Sequence, residues 1–252
     1  MKIRFLGTGT STGIPQIGCR CRVCQSEDPH DKRLRTSALF TVSGKNILID
    51  CGPDFRQQML AAGVDKIDAV LLTHKHYDHI AALDELRLFS DNRGIPLYIE
   101  KGVAEVVRTH FSYCFAENPY PGVAHFDIHE IDENPFTISE ITVIPIRVIH
   151  YNLPILGFRI GTAAYITDML TISEDEYKKL YGLDILVVNA LCHTKHISHQ
   201  TLSEALRLIK ILKPKRTYLI HMSHSMGLHS EESLKLPEGV EFAYDGLEVV
   251  IL

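Results

Sequence analysis

Apolar residues along this chain fall into short runs divided by polar turns, and the runs keep two different periods. Ile3–Leu6, Ala38–Val42, Ile47–Asp50, Ala69–Thr73, Leu97–Glu100, Ile141–Ile149, Gly157–Ile160, Tyr165–Thr167, Ile185–Asn189 and Thr217–Ile220 are rich in Val, Ile, Tyr and Thr, and predict strands. Glu241–Leu252 reads as a closing hairpin that turns at Asp245-Gly246. The helical period appears in Asp54–Ala62, which stops at Gly63, and in Ile80–Phe89, whose Ala81, Leu83, Leu86, Leu88 and Phe89 make a broad apolar surface. Ser173–Leu180 opens with Ser-Glu-Asp-Glu, which predicts a capping box. Thr201–Leu212 sets Leu202, Ala205, Leu206, Ile209 and Leu212 on one stripe, and Val103–Phe111 adds a further helix. Amphipathic helices need a sheet to cover, and sheets with alternating polar residues need a partner on their other face. The pattern therefore predicts an α/β protein with two sheets packed together and helices outside.

Composition narrows this only a little. No linker, repeat or low-complexity tract interrupts the 252 residues, so one domain over 1–252 is expected. With 45% hydrophobic and 23% charged residues, disorder is excluded. A net charge of −5 argues against a protein held to nucleic acid by a basic face. The first apolar run breaks at Gly7, too early for a signal peptide, and no run approaches a membrane span. A cytoplasmic protein with reduced thiols and no membrane partner is expected, and there the cluster Cys19-Arg20-Cys21-Arg22-Val23-Cys24 points to metal rather than disulfide. Fourteen histidines are more than composition explains.

The densest chemistry is Thr73-His74-Lys75-His76-Tyr77-Asp78-His79, between an apolar strand and a helix. His74 and His76, two apart, point to the same side of an extended chain. Asp78 and His79, at the helix start, can aim at a second point beside it. Such donors suit Zn²⁺, Mn²⁺ or Fe²⁺ rather than Ca²⁺. Desolvating three imidazoles and a carboxylate without a partner would be unfavourable, which favours a metal over a bare polar turn.

His-x-His-x-Asp-His after a strand resembles the signature of the metallo-β-lactamase fold, a four-layer αββα sandwich with one or two metals at the sheet edge. Asp50, His150, Asp168 and His221 each end an apolar strand and match further positions of that pattern. The resemblance implies two divalent active-site ions, Zn²⁺ or Mn²⁺. His74, His76 and His150 would hold one; Asp78, His79 and His221 would hold the other, with Asp168 bridging. Asp50 would support the loop from behind. Asp78 counts among the catalytic residues as well, since two ions about 3.5–4 Å apart generate a bridging hydroxide for in-line attack.

Cys19, Cys21 and Cys24 lack a fourth ligand, and His224, three residues after His221, supplies a candidate. A closed Cys₃His shell would be a structural Zn²⁺ site. The first strand, the loop Gly7-Thr8-Gly9-Thr10-Ser11-Thr12-Gly13-Ile14-Pro15 and this cysteine loop together resemble the PhnP-like phosphoribosyl cyclic phosphodiesterases. Asp50-Cys51-Gly52-Pro53-Asp54-Phe55-Arg56 and His221-Met222-Ser223-His224 resemble that group too. The glycine loop is no dinucleotide fingerprint, because its spacing is one residue too long and no helix follows; it reads as a flexible loop near the metal edge.

The resemblance implies hydrolysis of a small, cyclic, phosphoribosyl-type phosphodiester. The leaving alkoxide needs a proton, which histidine can give near neutral pH. His199 holds the matching place before Leu202–Ala205, with His196 in reserve; Thr194-Lys195 replaces the proline of many relatives and leaves that choice open. The aromatic stretch Phe111-Ser112-Tyr113-Cys114-Phe115, with Tyr120 and Phe126, reads as core packing first, and as a pocket wall or homodimer contact second. Three other activities share part of the pattern: a tRNA 3′-end endonuclease, a thioester or lactone hydrolase, and a non-catalytic metal-binding protein. Only 17 residues part His150 from Asp168, which leaves no room for a basic tRNA-binding arm, so a nucleic-acid partner is not expected.

Overall fold

The apolar runs pair into two sheets in the computed structural model, which describes residues 1–90 and 93–251. Among these residues, the first sheet takes β1 (Lys2–Gly7), β2 (Ser37–Val42), β3 (Lys45–Ile49), β4 (Ala69–Leu71), β5 (Ile95–Glu100) and β6 (Phe126–Ile131) in that order. The second is built from β7 (Phe136–Ile138), β8 (Ile141–His150), β9 (Leu153–Ile160), β10 (Ala163–Ile166), β11 (Thr171–Ile172), β12 (Ile185–Asn189), β13 (Arg216–Ile220) and β14 (Val240–Phe242). Its order is β11-β8-β9-β10-β12-β13-β14, with β7 on β8. The last strand, β15 (Glu248–Val250), returns to the first sheet beside β1.

Each sheet changes from antiparallel to parallel pairing part-way across. Strands β3 to β6 run parallel, as do β10, β12, β13 and β14. Parallel strands need crossover connections, and these bring the carboxyl ends of successive strands to one edge. That edge is where the chemistry collects.

The inner faces meet over Phe5, Phe40, Ile49, Phe158, Tyr165 and Tyr218. Phe40 meets Tyr165 edge to face at 6.3 Å. Helices α1 (Phe55–Ala62) and α3 (Lys101–His110) bury Phe55, Met59, Val103, Ala104 and Val107 on the outside of the first sheet. The short α2 (Tyr77–Ile80) follows β4. Helix α4 (Leu202–Leu212) covers the second sheet through Leu202, Ala205, Leu208 and Leu212, and α5 (His229–Glu232) is a single turn. The layers run αββα, as the apolar pattern predicts.

Three local expectations fail for tertiary reasons. The helix expected over Ile80–Phe89 stops at Ile80 and continues as 3₁₀ turns over Leu83–Leu88, because the Ala82 N–H donates to the Cys51 carbonyl at 3.0 Å. Ser173–Leu180 is likewise 3₁₀, over Glu174–Lys179. Glu176, which would close the capping box, instead accepts from the Arg147 N–H at 2.8 Å and pairs with Lys179. Glu241–Leu252 is no hairpin: β14 joins the second sheet and β15 the first. Asp245 between them accepts from Thr8 Oγ1 at 2.7 Å and the Leu34 N–H at 2.6 Å, which carries the chain across. In the aromatic stretch Phe111 is buried and Phe115 meets Phe126 at 5.7 Å, while Tyr113 and Tyr120 are exposed.

Candidate metal centre

Five strand ends deliver the site. Asp50 follows β3, His74 to His79 follow β4, His150 ends β8, Asp168 follows β10 and His221 follows β13. Asp50, Asp168 and His221 all adopt left-handed backbone, with φ of 62°, 56° and 57°. That conformation is unfavourable for residues other than glycine and tends to be held at functional sites. Here it turns each side chain off its strand toward one point.

His74 Nε2 and His76 Nδ1 lie 3.0 Å apart, and the His76 and His150 rings are 5.0 Å apart. Donor atoms of His74, His76 and His150 all fall within 4.8 Å of one another, as do those of Asp78, His79, Asp168 and His221. The two sets adjoin, since the His74 and His79 rings are 4.2 Å apart. Asp168 faces both His79 Nε2, at 3.2 Å, and His221 Nε2, at 3.1 Å.

The surrounding hydrogen bonds fix which nitrogens point inward. His79 Nδ1 donates to Asp50 Oδ2 at 2.7 Å. Asp50 Oδ1 accepts from the Thr73 N–H at 2.8 Å. His150 Nδ1 donates to the Ser198 carbonyl at 2.9 Å. Thr167 Oγ1 donates to Asp168 Oδ2 at 2.6 Å. With Nδ1 committed, His79 turns its Nε2 toward Asp78 and Asp168, both at 3.2 Å.

Charge in this place needs a cation. Asp50, Asp168 and Asp78 are at most 8% exposed, and their ion-pair partners are histidines. Burial opposes a charge on His79, but Asp168, Asp78 and Asp50 around it raise its imidazole well above the ordinary value. Burial likewise pushes Asp168 up, and His221 and His79 more than offset this and hold it well below. His79 Nε2 and both ring nitrogens of His221 are buried without a hydrogen-bond partner. Orphaned nitrogens beside buried carboxylates are the donor set that divalent metals take, so the residues fit the ions.

His199 joins the cluster and His196 does not. The His199 ring lies 4.6 Å from His150 and 4.7 Å from His221, and its unpartnered Nδ1 is 3.8 Å from Asp168 Oδ1. Burial, with His221 beside it, pushes His199 down to about 3. His196 is exposed, and its Nδ1 accepts from the Ser198 N–H at 3.3 Å within its own loop.

A second constellation stands apart. Sulfurs of Cys19, Cys21 and Cys24 lie 3.2, 3.4 and 3.3 Å from His224 Nδ1. A tetrahedral Zn²⁺ with usual bond lengths would set that separation at about 3.5 Å. The backbone N–H of Cys24 draws the Cys21 thiol down to about 6, while burial pushes Cys24 up to about 11. The glycine loop beside it is pinned: Thr10 N–H donates to the Met222 carbonyl at 2.9 Å, and Gly9 N–H to Leu34 at 2.8 Å.

Several supporting residues are not singled out by sequence patterns. Ser198 acts through a carbonyl, which any residue supplies. Thr73 reads as an ordinary strand residue although its hydroxyl bonds Asp50 at 2.9 Å. Asn189 clamps the backbone N–H and carbonyl of Met169, both at 2.9 Å, one residue beyond Asp168.

A sequence profile described as "Beta-lactamase superfamily domain" matches residues 45–222. A solved structure titled as a new diphosphatase from the PhnP family superposes with a TM-score of 0.92 and 40% identity, covering 98% of this chain and 96% of that one. The chain belongs to the PhnP family of the β-lactamase superfamily. Zn²⁺-bound PqqB from Methylobacterium extorquens shares the fold, with a TM-score of 0.81 and 21% identity over all of both chains. A protein of Porphyromonas gingivalis named octanoyltransferase is 47% identical over 254 residues, which cover 100% of this chain and 52% of that protein. The chain therefore spans about half the length of that relative. The PhnP-family fold and the clustered donors fit a site for divalent metal ions.

Proposed function

We propose that the chain is a dinuclear metal-dependent phosphodiesterase acting on a small phosphodiester, the cyclic phosphoribosyl type first. The observation that supports this most directly is the pair of adjoining donor sets, with the buried carboxylate Asp168 in the second set and within 4.8 Å of the His150 donor of the first. His74, His76 and His150 would hold one ion, and Asp78, His79 and His221 the other, as Zn²⁺ or Mn²⁺. Bound there, two such ions supply an acidified water and positive charge for the phosphoryl oxygens.

The chain's own residues do the rest. Asp50 and Ser198 hold His79 and His150 in one tautomer, so their free nitrogens stay aimed inward. His199, on the same side as His150 and His221, is placed to hand a proton to the leaving alkoxide once the anionic diester beside it offsets the burial that otherwise keeps its imidazole neutral; His196 is the outer reserve. Cys19, Cys21, Cys24 and His224 would close on a structural Zn²⁺ that ties the N-terminal loop to the segment carrying His221.

A second reading rests on the similar diphosphatase of the PhnP family: the bond cleaved is a phosphoanhydride. The half-length match to a protein named octanoyltransferase makes an acyl ester worth testing as well. Turnover of a ribose cyclic phosphate, bis(p-nitrophenyl) phosphate, a nucleoside diphosphate ester, a lactone and pre-tRNA, with and without Mn²⁺, separates the readings. Phosphodiester cleavage is expected, lost with chelator and restored by metal. Turnover of the acyl substrate alone would overturn the proposal. His199→Ala should lose about 10²–10⁴-fold on an unactivated diester while keeping its metals; full turnover would reject that assignment.

A further inference from the structure

Two loops meet beside the metal centre, one after β10 that carries Asp168 and one after β12 that carries His199. Strands β10 and β12 are parallel neighbours, with Ile166 opposite Val188, so both loops leave from the same edge. The residues that follow Asp168 and His199 are tied to one another. The Gln200 N–H donates to the Met169 carbonyl at 2.9 Å. Asn189, the last residue of β12, donates to that same carbonyl at 2.9 Å and accepts from the Met169 N–H at 2.9 Å. Gln200 closes the circuit, since its Nε2 donates to the Asn189 carbonyl at 2.7 Å. Its own carbonyl accepts from the Leu191 N–H at 3.1 Å, which shuts the His199 loop at its base. Asn189 and Gln200 are 0% and 3% exposed.

The His199 ring has less support of its own. Hydrogen bonds to Asp50 and to the Ser198 carbonyl orient the rings of His79 and His150. His199 Nδ1 is instead buried without a hydrogen-bond partner, 3.8 Å from Asp168 Oδ1. Where this ring stands therefore follows from its backbone. On one side that backbone is fixed by the Ser198 carbonyl, which accepts from His150 Nδ1 at 2.9 Å. On the other side it is fixed by Gln200. A buried amide in place of an apolar side chain gains little net stability, and what it adds is a directed tether.

We infer that Gln200, backed by Asn189, is a positioning residue that holds His199 against Asp168. This rests on the phosphodiesterase reading above, in which His199 hands a proton to the leaving alkoxide, and adds the side chain that aims it. Without the Nε2 tether the loop is free to pivot about Ser198, while His79 and His150 keep their own supports. Proton transfer needs its donor within hydrogen-bond reach of the leaving oxygen, so a small shift of the ring is costly. A leaving group that departs without a proton does not feel that shift.

The test uses the metal-loaded full chain and the variant Gln200→Met, which keeps the length and loses the donor. Turnover is compared on adenosine 2′,3′-cyclic phosphate, whose alkoxide needs a proton, and on bis(p-nitrophenyl) phosphate, whose phenolate does not. A loss of about 10–100-fold on the first and under about threefold on the second is expected, with metal content unchanged. In a His199→Ala background, Gln200→Met should cost nothing further on the cyclic phosphate. Amide hydrogen exchange over residues 193–199 should quicken in the variant. Equal losses on the two esters, or losses that multiply with His199→Ala, overturn the positioning role and leave the phosphodiesterase reading standing. Should the wild type cleave neither ester, the phosphodiesterase reading falls and exchange alone decides: quicker exchange keeps Gln200 as the tether of His199, and unchanged exchange removes it. If Gln200→Met loses its metals, Gln200→Asn, an amide one bond short, takes its place. Metal loss there as well would overturn the inference, because Gln200 would then support the whole centre rather than His199.

Discussion

Asp50 illustrates how much a single side chain behind the centre decides. Its two oxygens take the Nδ1 proton of His79, the Thr73 N–H and the Thr73 hydroxyl, and it is fully buried. Burial pushes its carboxyl up, against the pull of His79. Asn at this position keeps the size but turns an N–H toward the His79 N–H, donor against donor. Asp50→Asn should lower affinity for the active-site metals about 10–100-fold, with the fold intact by circular dichroism. Chelator competition measures it, and wild-type affinity in the Asp50→Asn variant would show that Asp50 does not orient His79. Asp50 stands out in the sequence because it closes an apolar strand just ahead of Gly52. Ser198 does not, because a backbone carbonyl has no residue-type signature.

Between elements, the decisive contact is a glycine. A Cβ on Gly52 would stand 1.9 Å from the Asp78 carbonyl oxygen, so the turn after β3 packs directly on the start of α2. That contact sets where Asp78 and His79 stand. Gly52→Ala should cost about 1–3 kcal/mol of stability through overpacking and should reduce metal content with it. Chemical denaturation and metal analysis read the two effects, and full stability with full metal content in the Gly52→Ala variant would contradict the packing argument. Local chemistry is legible where nothing competes for it. The capping box of α4 forms as its sequence predicts, with Thr201 accepting from the Glu204 N–H at 3.2 Å and Glu204 accepting from the Thr201 N–H at 2.8 Å. The similar pattern at Ser173 fails because a distant arginine's backbone takes the glutamate.

Across the molecule, a buried network ties the N-terminal loop to the last residues. Arg33, 5% exposed, donates to Thr8 Oγ1 at 2.7 Å, the Ala243 carbonyl at 2.5 Å and His229 Nδ1 at 3.0 Å. His229 N–H in turn donates to Asp31 at 2.8 Å. Guanidinium can only donate, so His229 Nδ1 must keep its lone pair. Burial, with Arg33 and His30 beside it and Asp28 and Asp31 opposing, pushes His229 down to about 4. The folded value lies below the unfolded value near 6.5, so this contribution is whole above pH 6.5 and is lost as pH falls toward 4. Asp245, pushed up to about 6 by burial, acts in the opposite sense over the same interval. Comparison with His229→Gln, which can still accept from Arg33 but cannot titrate, isolates the histidine. Between about pH 6.5 and 4.5 the wild-type melting temperature should fall roughly 2–4 °C further than that of the variant. Parallel curves would mean that His229 titrates in the folded state much as it does in the unfolded chain.

The sequence alone carried the layer order, the strand-end placement of the site and its donor types. Period, apolar content and ligand spacing are properties of short stretches, and they survive any arrangement of the rest. Tertiary structure decided what depends on distant groups meeting. It put His199 inside the cluster and His196 outside, and it diverted Glu176 to Arg147. It split Glu241–Leu252 between two sheets and held Asp50, Asp168 and His221 in left-handed backbone. Each of these reflects a contact between residues far apart in the chain, whose energy no local window contains.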